Sequence, residues 1–534
     1  MRGRQRERGL YIGMMAEHAA ERDGATRILL DRPVASFPDA GTSITVADLA
    51  RFTATLADRL YAAGVRAGDQ VGLYKTHDFD IVLLACALGR LGAVPVMISP
   101  TVDGDTVAAM LAMLSRPHLL TDESTIDREL ASVPLADLTA SVILAAGRHP
   151  GAASLPEIGT APARPPVRLH PSAPAMISHT SGTTGVPKLI VNSAETLWQR
   201  FRPQNMLAGL LRTKEPVGFC LSFVHSRLYS GLAVVLERGL PALVAADPSP
   251  PAVADLFVRD RPGLVETFPN AFIAWEGLAE DPRGPLSNVR CYTSTFDAMH
   301  PRTMAKLLNA SRRRLPIFVQ FYAQSEIGPI ATRFYTAGIG NRSDARCVGY
   351  PLPFMTHVRI RSEPGTRPSA QQPGAIEVRS RGRALTYLGQ QERYDRQLDG
   401  QWWRTGDVGY RTRLGCLHML DREVDHIPAV ASTLALEDII LARLPQLTEV
   451  VIIPGGDGPA LPVVCTEQDR PLDPAAWQEA TKDLQDLAAP LHRRLEDLPR
   501  TSTWKVRRLE LARQLAEAPD GVPSAEPSAV PGRR

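Results

Sequence analysis

From Thr45 to Val65 the segment TVADLARFTATLADRLYAAGV repeats its apolar residues at helical spacing and then breaks at the turn RAGD. QVGLYK follows as a short strand, FDIVLLACALGRLG as a helix and AVPVMISP as a second buried strand. Strand, helix and strand in succession predict a parallel sheet flanked by helices. The rhythm returns in MLSRPHLLTD and ASVILAAG, and again between Val217 and Ala246. FMTHVRI and GAIEVRSRG read instead as strands of a small β-rich subdomain. After the glycine- and charge-rich stretch RTGDVGYRTRLGCLHMLDREVD comes an α+β segment: LEDIILARLPQ, TEVVIIPG, PVVCT and a helix from about Asp473. The expected layout is an α/β protein. A frayed arm (1–24) precedes a large domain with parallel αβ layers plus the β-rich subdomain (25–420). A small α+β domain (421–514) and a disordered tail rich in Pro, Ala, Ser and Gly (515–534) complete it.

Composition narrows the class. The chain has 534 residues, too many for one core, with 44% hydrophobic and 22% charged residues, as in soluble globular proteins. A net charge of +3 gives no reason to expect nucleic acid or an acidic surface as partner. The basic opening MRGRQRERGL leads into no signal-peptide core, and no run of eighteen apolar residues suggests a membrane span. Six cysteines stand far apart, with no CxxC pair or metal-ligand spacing. They are expected to be reduced thiols in a cytoplasmic protein.

The densest chemistry lies in SHTSGTTGVPKLIV (178–191). Closely spaced glycines let successive N–H groups face one concavity, hydroxyls add donors, and Lys188 adds charge. A nucleotide P-loop is excluded, because Val186 and Pro187 separate Gly185 from Lys188. By itself the stretch is either a phosphate binder of another kind or a solvated turn.

TSGTTGVPK resembles the ATP-phosphate loop of the adenylate-forming superfamily, which includes acyl-CoA synthetases, peptide-synthetase adenylation domains and luciferases. The resemblance continues in order through FVHSRLYSG (223–231), YAQSE (322–326), VGYPLP (348–353), WWRTGD (402–407), LDREVDHI (420–427) and LPRTSTWKVRR (498–508). It implies a ligase that uses ATP and Mg²⁺ to adenylate a carboxylic acid, releasing pyrophosphate, with a C-terminal domain that moves between half-reactions. It assigns Thr180, Ser181, Gly182, Thr183, Thr184, Gly185 and Lys188 to the phosphates, and Glu326 to Mg²⁺. Tyr322 stacks on adenine, with Ala323 and Ser325 beside it, while Asp407 and Arg422 hold the ribose. Lys505 is the catalytic cation, and His225, Gln324 and Phe296 belong to the substrate pocket, with His225 gating or orienting the carboxylate.

Departures from the family pattern carry information. Leu189 and Ala194 replace a usual glycine and histidine behind the loop, where the chain needs an apolar element. Phe296 in TSTFDAM suggests a reshaped pocket suited to a small, flat, aromatic acid. On the side where a thiol arm would enter, Val424, Ala431, Leu436 and Trp504 replace the usual hinge residue, glycine, proline and glycine. Two functions follow. The leading one passes the acyl group to a thiol, CoA or a carrier protein. The alternative uses a nitrogen acceptor, as an amide synthetase or as an ATP-dependent diazotase joining activated nitrite to an aromatic amine in specialised metabolism. A third reading, a nucleotide-binding protein without catalysis, conflicts with Lys188, Glu326, Asp407, Arg422 and Lys505 all being present.

Overall fold

The helix expected after Thr45 runs Val46–Ala62 in the computed structural model. The model describes residues 9–180, 186–209, 214–295, 299–338, 346–423, 427, 430, 432–455, 458–484, 487–500 and 506–517. Thr45 and Asp48 cap this helix reciprocally, each side chain accepting from the other's backbone N–H at 3.1 Å. Its stripe of Leu49, Phe52, Leu56 and Leu60 is buried. The chain falls into two compact units that divide between 426 and 427.

The first unit carries two large sheets. One has a parallel half, Arg27–Leu30, Ala242–Val244, Val217–Cys220, Leu264–Thr267, Cys291–Ser294 and Ile317–Gln324, in that spatial order. Gly328–Thr336 turns back antiparallel on Ile317–Gln324 and starts an antiparallel half. That half contains the strands Thr356–Arg361 and Gly374–Ser380 and the hairpin Trp402–Arg411 with Leu417–Arg422. The expected β-rich subdomain is therefore continuous with the parallel sheet. The other sheet runs Gln70–Leu73, Val94–Met97 and neighbours in parallel, then continues through the antiparallel pair Pro174–His179 and Leu189–Ser193 to the edge strand Thr386–Tyr387.

Two expectations need correction. Residues 9–24 are no loose arm: Met15–Asp23 is a helix whose Met15, Ala16 and Ala19 join the core, and Glu17 pairs with Arg90 at 2.5 Å. Few but well-spaced apolar residues sufficed to dock a segment of polar composition. The six cysteines are not all thiols either. Cys347 and Cys416 form a disulfide, and their sulfurs and a ring nitrogen of His418 lie within 4.8 Å of one another. Neighbouring strands unite residues 69 positions apart, which linear spacing does not display.

In the second unit, strands Leu447–Ile453, Leu461–Thr466 and Leu491–His492 pack with helices Thr433–Arg443 and Pro474–Thr481. The expected tail lies outside the described residues, apart from 515–517, which finish the helix Arg508–Glu517. No helix among the described residues is long and apolar enough to cross a membrane.

Candidate active site

The candidate phosphate loop is the connection between the antiparallel strands Pro174–His179 and Leu189–Ser193. Its ends are tied together: Thr180 N donates to Lys188 O at 3.1 Å, and Lys188 N donates to Thr180 Oγ1 at 3.2 Å. Leu189 opens a fully buried strand, so the chain past Lys188 is apolar. Ser181, Gly182, Thr183, Thr184 and Gly185 lie outside the described residues, as do Phe296, Val424, Ala431, Trp504 and Lys505.

Lys188 reaches a carboxylate. Its Nζ stands 3.6 Å from Glu326 Oε1 and 3.3 Å from the Tyr387 hydroxyl, which itself donates to Glu326 Oε1 at 2.6 Å. Burial lowers the Lys188 pKa against the opposing pull of Glu326. Burial, then the charge of Glu326, holds the Tyr387 hydroxyl protonated far above the usual phenol range. Behind them Arg200 donates to Gly382 O at 2.8 Å and Ser325 O at 3.0 Å, fixing the turn that carries Glu326. Gly328 closes this turn at φ +81°, and a Cβ there would stand 2.7 Å from Arg200 Cγ.

A second cluster lies four residues back along the same segment. The Tyr322 hydroxyl donates to Asp407 Oδ2, and Gln324 Nε2 donates to the same oxygen and to Thr405 O, each at 2.9 Å. Arg422, the cross-strand partner of Asp407 in the hairpin, brings its Nε within 3.5 Å of Oδ1. Buried Asp407 is thus the shared acceptor of a tyrosine, an amide and a guanidinium. Tyr322 is itself buried; its hydroxyl pKa is pushed well up by burial and then by Asp407. Ala323 sits where the register of the strand pair shifts, between the two clusters. The segment 322–326 therefore joins a carboxylate–lysine pair suited to phosphates and a hard cation to a carboxylate suited to a diol. Glu326 is one carboxylate rather than a cage, which suits Mg²⁺ taking its other ligands from phosphates and water.

His225 caps the helix Ser226–Glu237, its Nδ1 accepting from Arg227 N at 3.1 Å. Its pKa falls to about 3, first through burial and then through His179, Arg200 and Arg227. Although some of its surface remains open, the crowding by protein keeps its ring neutral. Tyr387, Arg200, Arg227 and Glu266 were not foreseen. Arg227 lies within FVHSRLYSG without a role assigned to it and the other three fall in no motif; each is recognisable only by its partner, as far as 199 residues away for Lys188 and Tyr387.

Residues 16–388 match the AMP-binding enzyme family, and the chain belongs to that family of adenylate-forming ligases. It is 47% identical over 531 residues to 3-amino-2-hydroxy-4-methoxybenzoate diazotase of Streptomyces cremeus, covering 95% of this chain and 96% of the relative. It is 26% identical over 490 residues to 3-aminoavenalumate diazotase of a Streptomyces species, at 84% and 85% coverage. An anthranilate CoA ligase structure superposes with a TM-score of 0.79 at 18% identity, over 96% of this chain and 98% of the other.

Proposed function

We propose that the protein is an ATP-dependent diazotase acting on a small aromatic amine of the aminobenzoate type. The observation that carries this is the 47% identity, along nearly the whole of both chains, to a diazotase. It favours the nitrogen-acceptor alternative over thiol transfer, and Val424, Ala431 and Trp504 fit a site with no pantetheine arm to admit. A nitrite oxygen attacks the α-phosphorus of ATP, the bond to pyrophosphate breaks, and a nitrosyl–AMP mixed anhydride results. The aryl amine nitrogen then attacks the nitrosyl nitrogen and AMP leaves. The amine gives up one proton, and the N-nitroso product isomerises to the diazohydroxide, takes up a proton and loses water to give the diazonium group.

Lys188 holds the phosphates, Asp407 and Arg422 the ribose, and Tyr322 the adenine side, while Lys505 meets charge developing at the α-phosphate. Glu326 would hold Mg²⁺, whose charge offsets that of the phosphates. Neutral His225 contributes a hydrogen bond rather than a proton at pH 7. The ATP requirement places the reaction in the cytoplasm.

The test is AMP formation from ATP and Mg²⁺ with two sets of cosubstrates: nitrite plus an aminobenzoate, and an aryl acid plus CoA. AMP that requires nitrite and the amine, with a diazo product in the mass spectrum, is expected. AMP that requires CoA, with a thioester and no response to nitrite, overturns the proposal in favour of thiol ligation.

A further inference from the structure

At the carboxyl end of the parallel strands, beside His225, the largely enclosed Arg227 pairs with buried Glu266, and the family resemblance gives neither a role at the nucleotide. Arg227, in the first turn of the helix Ser226–Glu237, donates from Nε and Nη2 to the two oxygens of Glu266 at 2.5 Å each, and from Nη1 to Gln204. Glu266 is the penultimate residue of the strand Leu264–Thr267 and pairs in register with Thr293. Two residues beyond Thr293, the buried Thr295 hydroxyl has no hydrogen-bond partner.

The placement argues for a ligand. In parallel α/β sheets, binding sites lie outside the carboxyl ends of strands, where Glu266 and Thr295 are. A buried ion pair contributes little to stability over an apolar pair of the same shape, so stability alone gives it weak reason to exist. Glu266 and Gln204 engage three of the five N–H groups of Arg227, whose side chain is 16% exposed. A guanidinium with N–H groups to spare is a chemical match for a carboxylate. His225 adjoins this pair, its Nδ1 accepting from Arg227 N at 3.1 Å, while Arg200 donates to Ser325 O at 3.0 Å beside Glu326.

We propose that Arg227, clamped by Glu266 and Gln204, binds the ring carboxylate of an aminobenzoate and so turns its amine toward the nucleotide. This rests on the diazotase reading and explains how an aryl acid escapes adenylation: its carboxylate is held at the far wall, leaving the α-phosphate to nitrite. Thr295 supplies a hydroxyl for a polar ring substituent.

The test is equilibrium binding of 3-aminobenzoate and methyl 3-aminobenzoate to the full-length protein with AMP, by calorimetry and without nitrite. The wild type is expected to favour the carboxylate by about 30-fold, the value of a buried charge-assisted hydrogen-bond pair. R227M should reduce that preference to within about threefold, with R227K restoring part of it, because a lysine keeps the charge and loses the fork. Since R227M strands a buried carboxylate, the R227M/E266Q double variant is measured beside it and should behave alike. Equal affinities for acid and ester in the wild type, no measurable affinity for the acid, or an undiminished preference in a folded R227M/E266Q protein each overturn the inference. Nitrite plays no part in this experiment, so its result is independent of whether AMP formation requires nitrite or CoA.

Discussion

Tyr387 illustrates what single residues decide. Its hydroxyl lies between Lys188 and Glu326, donating to the carboxylate and standing 3.3 Å from the ammonium. Tyr387→Phe deletes that bridge while keeping the ring, and loses about 1 kcal/mol of ordering at the candidate phosphate and metal site. KM for MgATP in AMP formation is expected to rise roughly fivefold; an unchanged KM would reduce Tyr387 to packing. His225 yields a pH prediction. Its folded pKa of about 3 lies below the usual 6.5, so between those values the unfolded chain binds the extra proton and stability falls as pH falls. H225N keeps a capping side chain. Its melting temperature should decline less than that of the wild type between pH 7 and pH 5, and parallel declines would contradict a ring held neutral. YAQSE and TGD pointed to Tyr322, Glu326 and Asp407 as candidates because their chemistry is local and carried by side-chain type, whereas Gln324, expected in the substrate pocket, donates instead to Asp407 Oδ2 and Thr405 O. The sequence also suggested that Tyr322 stacks on adenine, but offered no sign that its hydroxyl would bond to Asp407, 85 residues away.

At the scale of elements, the glycine- and charge-rich stretch around residue 410 is a hairpin whose register sets Asp407 opposite Arg422. A ladder fixes cross-strand partners more tightly than loop packing does. Asp407→Ala removes the acceptor shared by Tyr322, Gln324 and Arg422 and should raise the KM for ATP about tenfold. An unaltered KM would argue against a ribose role. In the second unit, Arg508 donates to Glu437 Oε2 at 2.6 Å and to Ile452 O at 3.0 Å, and Glu437 accepts from Ile452 N at 2.6 Å. That network joins the helices Thr433–Arg443 and Arg508–Glu517 to the strand Leu447–Ile453. Arg508→Ala strands a buried carboxylate and should cost about 3 kcal/mol, read in the unfolding of the second unit. A basic run in the sequence cannot separate this anchor from a solvated neighbour, because the distinction lies in burial.

Across the whole molecule, the chain divides into two units, the first of which carries both candidate clusters. Lys505→Ala is expected to slow pyrophosphate release in single turnover by about 10²-fold or more while leaving ATP affinity nearly intact, since its contact belongs to the transition state. Loss of ATP binding would reassign it to the ground state. Strand–helix alternation and seven ordered motifs sufficed for the α/β class and the family, and they named one carboxylate or cation in each candidate cluster. Period and spacing encode those directly, through short-range sterics and the few residue types that phosphates and diols accept. Tertiary structure alone decided the rest: the packing of residues 9–24, the meeting of Cys347 with Cys416, the Tyr387 bridge and the burial of Arg227 against Glu266. Each joins residues far apart in the chain, and their pairing energies exist only once the sheet has set the register and excluded water.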